Sequence, residues 1–501
     1  MSSSSLPKRA AIFAACIGAT AAVGASPAFA AVPGENIFGS GSSLQKIAQQ
    51  NVWTPTWHST AADHSQLSNN PTATYTSSSS GGGLAEWGNT TGALDLTQDP
   101  TAHNGATNGY GRAVLDAYVG TDDPPTSANL ADATTAATGK ATTKVNEITV
   151  PVAQAPVAML LSLPKGITAG AGSKVSLTNA LLQEIWNAAV PKSTDYATKT
   201  WGALLEDAGF KKVTGTPVAG QFKDAGGATG GGQAITLQVR STASGTSYNF
   251  KGFLQLSGDT LYNTFVNDND SWPVATVNTD GGIANSGGSQ EVSNTTATPG
   301  SVGYANLADA AAGTPPYTVT LTSTATGGTH QIAYAQVQAN KGGSGTVYAG
   351  PAAGTGIANV YTGNNINVNG ANPAFVGHWT VPLSGTTLVP TGTWGGTLPS
   401  DPDVYDHSLT GGHKTAYYPI VAGTYDLGWT DYDEASSNLV ADFGGTAADA
   451  TAAGNTALSF LTYVVAPTKG QADLTKAAKY YAILPSKIDG YSQTAVKSIT
   501  P

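Results

Sequence analysis

Hydrophobic and polar positions alternate most clearly near the middle of the chain. Ile235, Leu237 and Val239 are spaced by Thr236, Gln238 and Arg240, the period of a strand. Phe250, Phe253 and Leu254 follow at helical spacing. The small, hydroxyl-rich stretch from Arg240 to Thr246 lies between them. The same construction of strand, Ser/Gly loop and helix recurs twice upstream. Asn36–Phe38 reads as a strand before Gly39-Ser-Gly-Ser-Ser43 and a helix carrying Leu44, Ile47 and Ala48, with Ser42 or Ser43 as its N-cap. Ala73–Thr76 reads as a strand before the loop Ser77–Gly83 and a helix carrying Leu84, Ala85 and Trp87.

Further along, Ile148–Val150 and Pro156–Pro164 read as buried strands that cross between domains. Leu181, Leu182, Ile185, Trp186 and Ala189 share a helix face, and Trp201–Phe210 suggests another helix. Gly120–Pro125 (GTDDPP) is a turn cluster, and Thr126–Thr143 an Ala/Thr-rich excursion. Pro299–Tyr304 turns into a strand. Tyr317, Val319 and Leu321, then Ile332 and Tyr334, form a hairpin pattern about Gly327-Gly328. Gly- and Thr-rich sequence continues to about residue 412, so residues 305–415 are expected to be a β-rich insertion. Leu458, Leu461 and Val465 mark a late helix.

Composition turns this pattern into a large folded protein. The chain has 501 residues, 40% hydrophobic and only 11% charged, long enough for two domains. Residues 1–30 have the form of a secretory signal: Lys8 and Arg9, the apolar run Ala10–Val23, and Ala28-Phe29-Ala30 as the cleavage site. The one cysteine, Cys16, falls inside it, so the mature chain has no disulfides. A rival reading makes Cys16 a lipid anchor, although Phe13 stands where such sites carry leucine. The formal charge is −10, or about −12 once Lys8 and Arg9 are removed, which argues against nucleic acid. A small anion remains compatible, because backbone N–H groups can form a local cradle. The chain has three arginines, Arg9, Arg112 and Arg240. Arginine is suited to forked recognition of an oxyanion, which makes Arg240, beside a helix start, the leading candidate.

Other chemistry is poorly supported. Ser43-Leu-Gln-Lys46 has the S-x-x-K spacing without S-D-N or K-T-G partners, and no G-x-S-x-G occurs. The pairs His58/His64 and His407/His413 match no zinc pattern. A secreted phosphatase-like hydrolase and a cell-surface structural or adhesive protein are the alternatives.

Taken together, Gly39–Leu44, Tyr75–Gly83, Asp99-Pro100, Arg240–Phe250, Trp272-Pro273, Thr298–Tyr304 and Tyr418–Val421 resemble the phosphate-binding proteins of phosphate ABC transporters, of the type II periplasmic binding protein fold. The resemblance implies an α/β fold of two lobes joined by two crossings. Lobe 1 would be 31–155 plus 425–501, and lobe 2 would be 156–424 with the insertion. The chain is then expected to be a monomer that holds inorganic phosphate between the lobes and delivers it to an ABC permease, with no cofactor, metal or catalytic residue. The resemblance puts Ser43, the Leu44 backbone, Ser80, Asp99, Arg240, Ser244, Gly245 and Thr246 around the anion. Asp99 would be the proton reader: an ionised carboxylate only accepts, hydrogen phosphate can donate, and sulfate cannot. One position departs from the pattern. Where the family has an acid two residues after the arginine, this chain has Thr242, so Arg240 is either steered by another carboxylate or held less rigidly.

Overall fold

The computed structural model describes residues 31–87, 116–122, 147–164, 167–168, 175–186, 223–224, 235–256, 271–272, 274–279, 282–311, 321–323, 330–339, 347–352, 357–360, 417–433, 446–477 and 480–501. The expected signal segment with Cys16, the Asp99-Pro100 motif and the expected helix at Trp201–Phe210 lie outside them.

Twelve strands form one open mixed sheet among these residues. They are β1 (Ile37–Gly41), β2 (Ala73–Ser77), β3 (Tyr118–Thr121), β4 (Glu147–Ser162), β5 (Val175–Leu177), β6 (Thr236–Arg240), β7 (Ile283–Asn285), β8 (Ser301–Asn306), β9 (Leu321–Ser323), β10 (His330–Gln338), β11 (Tyr348–Ala349) and β12 (Val421–Trp429). The main path runs β2-β1-β3-β12-β4-β8-β6-β7. The helices that concern the site are α1 (Lys46–Ala48), α2 (Thr54–Ser59), α3 (Ser80–Trp87), α4 (Asn179–Trp186), α5 (Gly245–Leu256), α6 (Val274–Thr279), α7 (Gly288–Ala297) and α8 (Leu307–Ala311). Behind them lie α9 (Ala447–Val465), α10 (Gly470–Ala477) and α11 (Ser486–Val496).

The two apolar runs read as separate strands are one 16-residue strand, β4. Its partners change along its length. Glu147 to Pro156 pair with β12, and Val157 to Ser162 pair with β8. This switch divides the strands into two groups. In one, β1 lies parallel to β2 and β3; in the other, β6 lies parallel to β7 and β8. The result is the two-lobed α/β arrangement that the resemblance implied. Parallel strands need crossovers, and helices supply them, which is why each group alternates strand with helix.

The core follows the sequence pattern. Ile235, Leu237 and Val239 are buried, as are Phe250, Phe253 and Leu254 on α5. Trp186 of α4 packs edge-on against Phe250 and Tyr304. On the other side Trp57 and Tyr118 close on Phe460 of α9. The hairpin pattern near Tyr334 is realised as β9 against β10, and β10 also pairs with β4 and β5.

Two local expectations shift. The stretch Ser80–Gly83, expected to be loop, is the first turn of α3. The helix predicted from Leu44 begins at Lys46 and passes through a π-helical stretch, Gln49–Trp53, into α2. The Ser42 hydroxyl accepts from the Leu44 N–H at 3.0 Å, two residues before that helix starts.

Candidate functional site

The C-terminal ends of the parallel strands bring the candidate residues together. β1 leads to Ser42 and Ser43, β2 to Ser80, β3 to Asp122, β6 to Arg240 and α5, β7 to α7, and β8 to α8. Parallel strands in one group end on the same edge, so loops far apart in sequence become neighbours.

Backbone geometry builds the first corner. Gly41 has φ +123°, and a Cβ there would meet the Gly120 carbonyl oxygen at 2.1 Å, so only glycine fits. The Gly41 carbonyl then accepts from both Ser78 N–H and Ser79 N–H at 2.9 Å, while Ser42 N–H donates to Gly120 O at 2.7 Å. These bonds string the three loop starts onto one another. Ser79 itself sits at φ +90°. Ser80 then opens α3, presenting the first N–H groups of a helix, which have no intrahelical acceptor.

Arg240 is the other anchor. It is the last residue of β6 and is 1% exposed. Its Nη1 reaches the Ser43 hydroxyl at 3.5 Å, and its Nε has no hydrogen-bond partner among the described residues. Burying a guanidinium with so few acceptors is costly unless an anion completes it. Thr242 is exposed in the adjoining loop, while the carboxyl groups of Glu291 of α7 and Asp309 of α8 lie within electrostatic reach of Arg240. The Asp309 Oδ2 and Arg240 Nη1 lie 2.8 and 3.9 Å from the place a Gly288 Cβ would occupy. Arg240 is therefore balanced by carboxylates distant in sequence.

Ser244, Gly245 and Thr246 are buried at the start of α5. Gly245 is pressed against the opposite group of strands: a Cβ there would lie 2.2 Å from Asp122 Oδ2 and 2.8 Å from the Ser80 hydroxyl. Asn249, one turn further on, donates to the Asp122 carbonyl and the Gly245 carbonyl, both at 2.8 Å. The Leu44 carbonyl accepts from Asn306 at 2.8 Å and from the Tyr481 hydroxyl, and the Leu44 N–H is taken by Ser42. Ser43 thus meets Arg240, and Gly245, flanked by Ser244 and Thr246, meets Ser80 and Asp122, whereas the Leu44 backbone is engaged by Ser42, Asn306 and Tyr481. Asp99 lies outside the described residues.

The carboxylate found at this point is Asp122. Its Oδ1 accepts from Ser80 at 2.9 Å. Burial pushes its carboxyl up to about 7, with the Ser80 hydrogen bond and the Arg240 charge pulling it back. Burial likewise raises Asp309 to about 6, opposed by Lys46, Arg240 and Ser289. Burial holds Glu291 well above the usual range against Arg240 and the Tyr304 N–H. Sequence reading absorbed Asp122 into a turn cluster. The available signal was the preceding run Ala117–Val119, apolar and short, which marks a strand end at Thr121. Asp309 and Glu291 had no comparable local mark.

Behind the site, the Tyr304 hydroxyl accepts from Trp272 Nε1 at 2.6 Å and shares a proton with Ser247 at 2.5 Å. This fixes the first turn of α5 to β8. No group of three or more metal-ligating side chains occurs among the described residues, and no helix there is long and apolar enough to cross a membrane.

No protein-family model and no curated protein matches the chain. Among solved structures it is similar to a high-affinity periplasmic phosphate-binding protein, PfluDING, bound with phosphate: 17% identity, TM-score 0.49, over 92% of this chain and 93% of that one. A phosphate-binding protein from Stenotrophomonas maltophilia is similar at 16% identity and TM-score 0.49, over 92% and 93%. An ancestral soluble variant of the human phosphate-binding protein is similar at 18% identity and TM-score 0.48, again over 92% and 93%. These three structures are matched along most of both chains at low identity.

Proposed function

We propose that the chain is an extracytoplasmic solute-binding protein that takes inorganic phosphate between its two groups of strands and passes it to an ABC permease. The observation that carries this reading is the buried Arg240, its Nε without a hydrogen-bond partner among the described residues, beside Ser43 and within electrostatic reach of Asp122, itself held by Ser80 at the start of α3. A forked guanidinium and the N–H groups of a helix's first turn stabilise an oxyanion by charge-assisted hydrogen bonds. Ser43, Ser80, Ser244 and Thr246 add hydroxyls, and Gly245 lets the backbone come close. In this reading Asp122 reads the proton, the role the resemblance implied for Asp99. An ionised Asp122 accepts a P–O–H, whereas sulfate brings two charges and no proton at neutral pH.

Binding and release by lobe movement is the activity proposed. Equilibrium dialysis with labelled phosphate, competed by arsenate and sulfate, tests it. Saturable binding displaced by arsenate and not by sulfate is expected. Absence of saturable binding, or release of phosphate from an organic phosphoester by the same preparation, would overturn the reading.

A further inference from the structure

Two carboxylates share one hydrogen-bonding pattern, Asp122 fully buried and Asp309 half-buried with its serine partner exposed. Asp122 ends β3, and its Oδ1 is held by the hydroxyl of Ser80, the first residue of α3. Asp309 lies just past β8, and its Oδ1 is held at 3.4 Å by the hydroxyl of Ser289, the second residue of α7. In both, Oδ2 accepts no hydrogen bond from the described residues. Each Oδ2 is pressed against a glycine at a helix start: Asp122 against Gly245 and Asp309 against Gly288. Arg240 lies within electrostatic reach of both and forms no ion pair of 4 Å or less with either. The two units come from opposite groups of strands, so an anion between them would meet one from each side.

We propose, resting on the phosphate reading above, that Asp309 is a second proton acceptor beside Asp122, so that the bound complex holds phosphate with two protons, one shared with each carboxylate.

The charge count supports it. Arg240 is the buried cation here, and Lys46 of α1 adds a half-buried one that opposes Asp309. Facing them are Asp122, Asp309 and Glu291. Tyr481, whose hydroxyl feels the charge of both aspartates, and Tyr75, which feels Asp122, contribute no positive charge. Adding a phosphate dianion to ionised Asp122 and Asp309 would leave acceptors facing acceptors. Two protons in the complex give each Oδ2 a donor, whichever oxygen carries the proton before binding. Below neutrality the monoanion brings both protons. Above it the dianion brings one, and the second is taken from solvent. Affinity for total phosphate therefore falls as pH rises through neutrality. Sulfate brings none, so it competes only where both carboxylates are already protonated, in acid.

Titration calorimetry with inorganic phosphate at about pH 8, in buffers of different ionisation enthalpy, counts the protons. The wild-type protein should take up close to one proton per phosphate. Its affinity should weaken by about tenfold between about pH 7.5 and pH 9. Asp309→Asn, whose amide can donate directly, should bind phosphate with little uptake and a flatter pH profile, and Asp309→Glu should restore the uptake. No uptake in the wild type, or the same uptake in Asp309→Asn, would overturn the second acceptor while leaving phosphate binding intact. Absence of phosphate heat at every pH would overturn the binding reading itself, and this inference with it.

Discussion

The Ser80 hydroxyl donates to Asp122 Oδ1 at 2.9 Å, and the Asp122 N–H lies 3.3 Å from the same Ser80 oxygen. One side chain thus grips both the backbone and the carboxylate of a residue 42 positions away. The grip leaves Asp122 Oδ2 facing Gly245. Replacing the carboxylate by an amide puts a donor where an acceptor stood. Asp122→Asn should weaken the preference for phosphate over sulfate, with sulfate competing in dialysis at a higher pH than in the wild type. Unchanged selectivity would remove Asp122 from the role.

Arg240→Lys keeps the charge and loses the fork. Charge-assisted, two-pronged contacts are worth more than a point charge, so phosphate affinity should fall by about tenfold or more. Circular dichroism of the same samples separates this from unfolding. A folded Arg240→Lys protein that binds like the wild type would show that Arg240 does not hold the anion.

Gly245→Ala brings a Cβ to 2.2 Å from Asp122 Oδ2 and 2.8 Å from the Ser80 hydroxyl. Something must move, and the nearest thing able to do so is the approach of α5 to β3. Binding should be lost or weakened by more than about tenfold, with a lower melting temperature. Gly287→Ala is the matched control, because a Cβ there meets nothing within 4 Å. Equal effects of the two substitutions would show that the close approach does not matter.

Asp426 makes a prediction about stability. It is buried in β12 with Gln49 Nε2 3.1 Å from each carboxylate oxygen. Burial pushes its carboxyl up to about 8, and the Gln49 hydrogen bond pulls it back. The folded chain keeps this proton to about pH 8, while the unfolded chain loses it near 3.8. Between those values the folded state binds more protons, so stability falls as pH rises, by at most about 1.4 kcal/mol per pH unit. Urea midpoints should drop between about pH 5 and pH 9, and less so in Asp426→Asn. An equal drop in both proteins would assign the dependence to other groups.

Local pattern made much of this molecule legible. The alternation of Ile235, Leu237 and Val239 and the helical spacing of Phe250, Phe253 and Leu254 predict β6 and α5, and both are buried as expected. The three Ser/Gly loops at Ser43, Ser80 and Ser244 were visible because strand-end loops need small residues and hydroxyls within a few positions. Arg240 stood out by its rarity. The acids near Arg240 and the contact of Asp122 with Ser80 were not legible. Asp122 could not be separated from a turn acid, and Thr242 left open which carboxylate would balance the arginine.

The sequence by itself determined the elements and their loop chemistry, since periodicity and capping act over one or two turns of chain. Only the tertiary structure decided which acids meet Arg240. Glu291 and Asp309 reach it because β6, β7 and β8 end on one edge of the sheet, and Asp122 faces them because β4 carries both groups of strands. Strand order is set by burial of whole sheet faces, a long-range balance that no single stretch records.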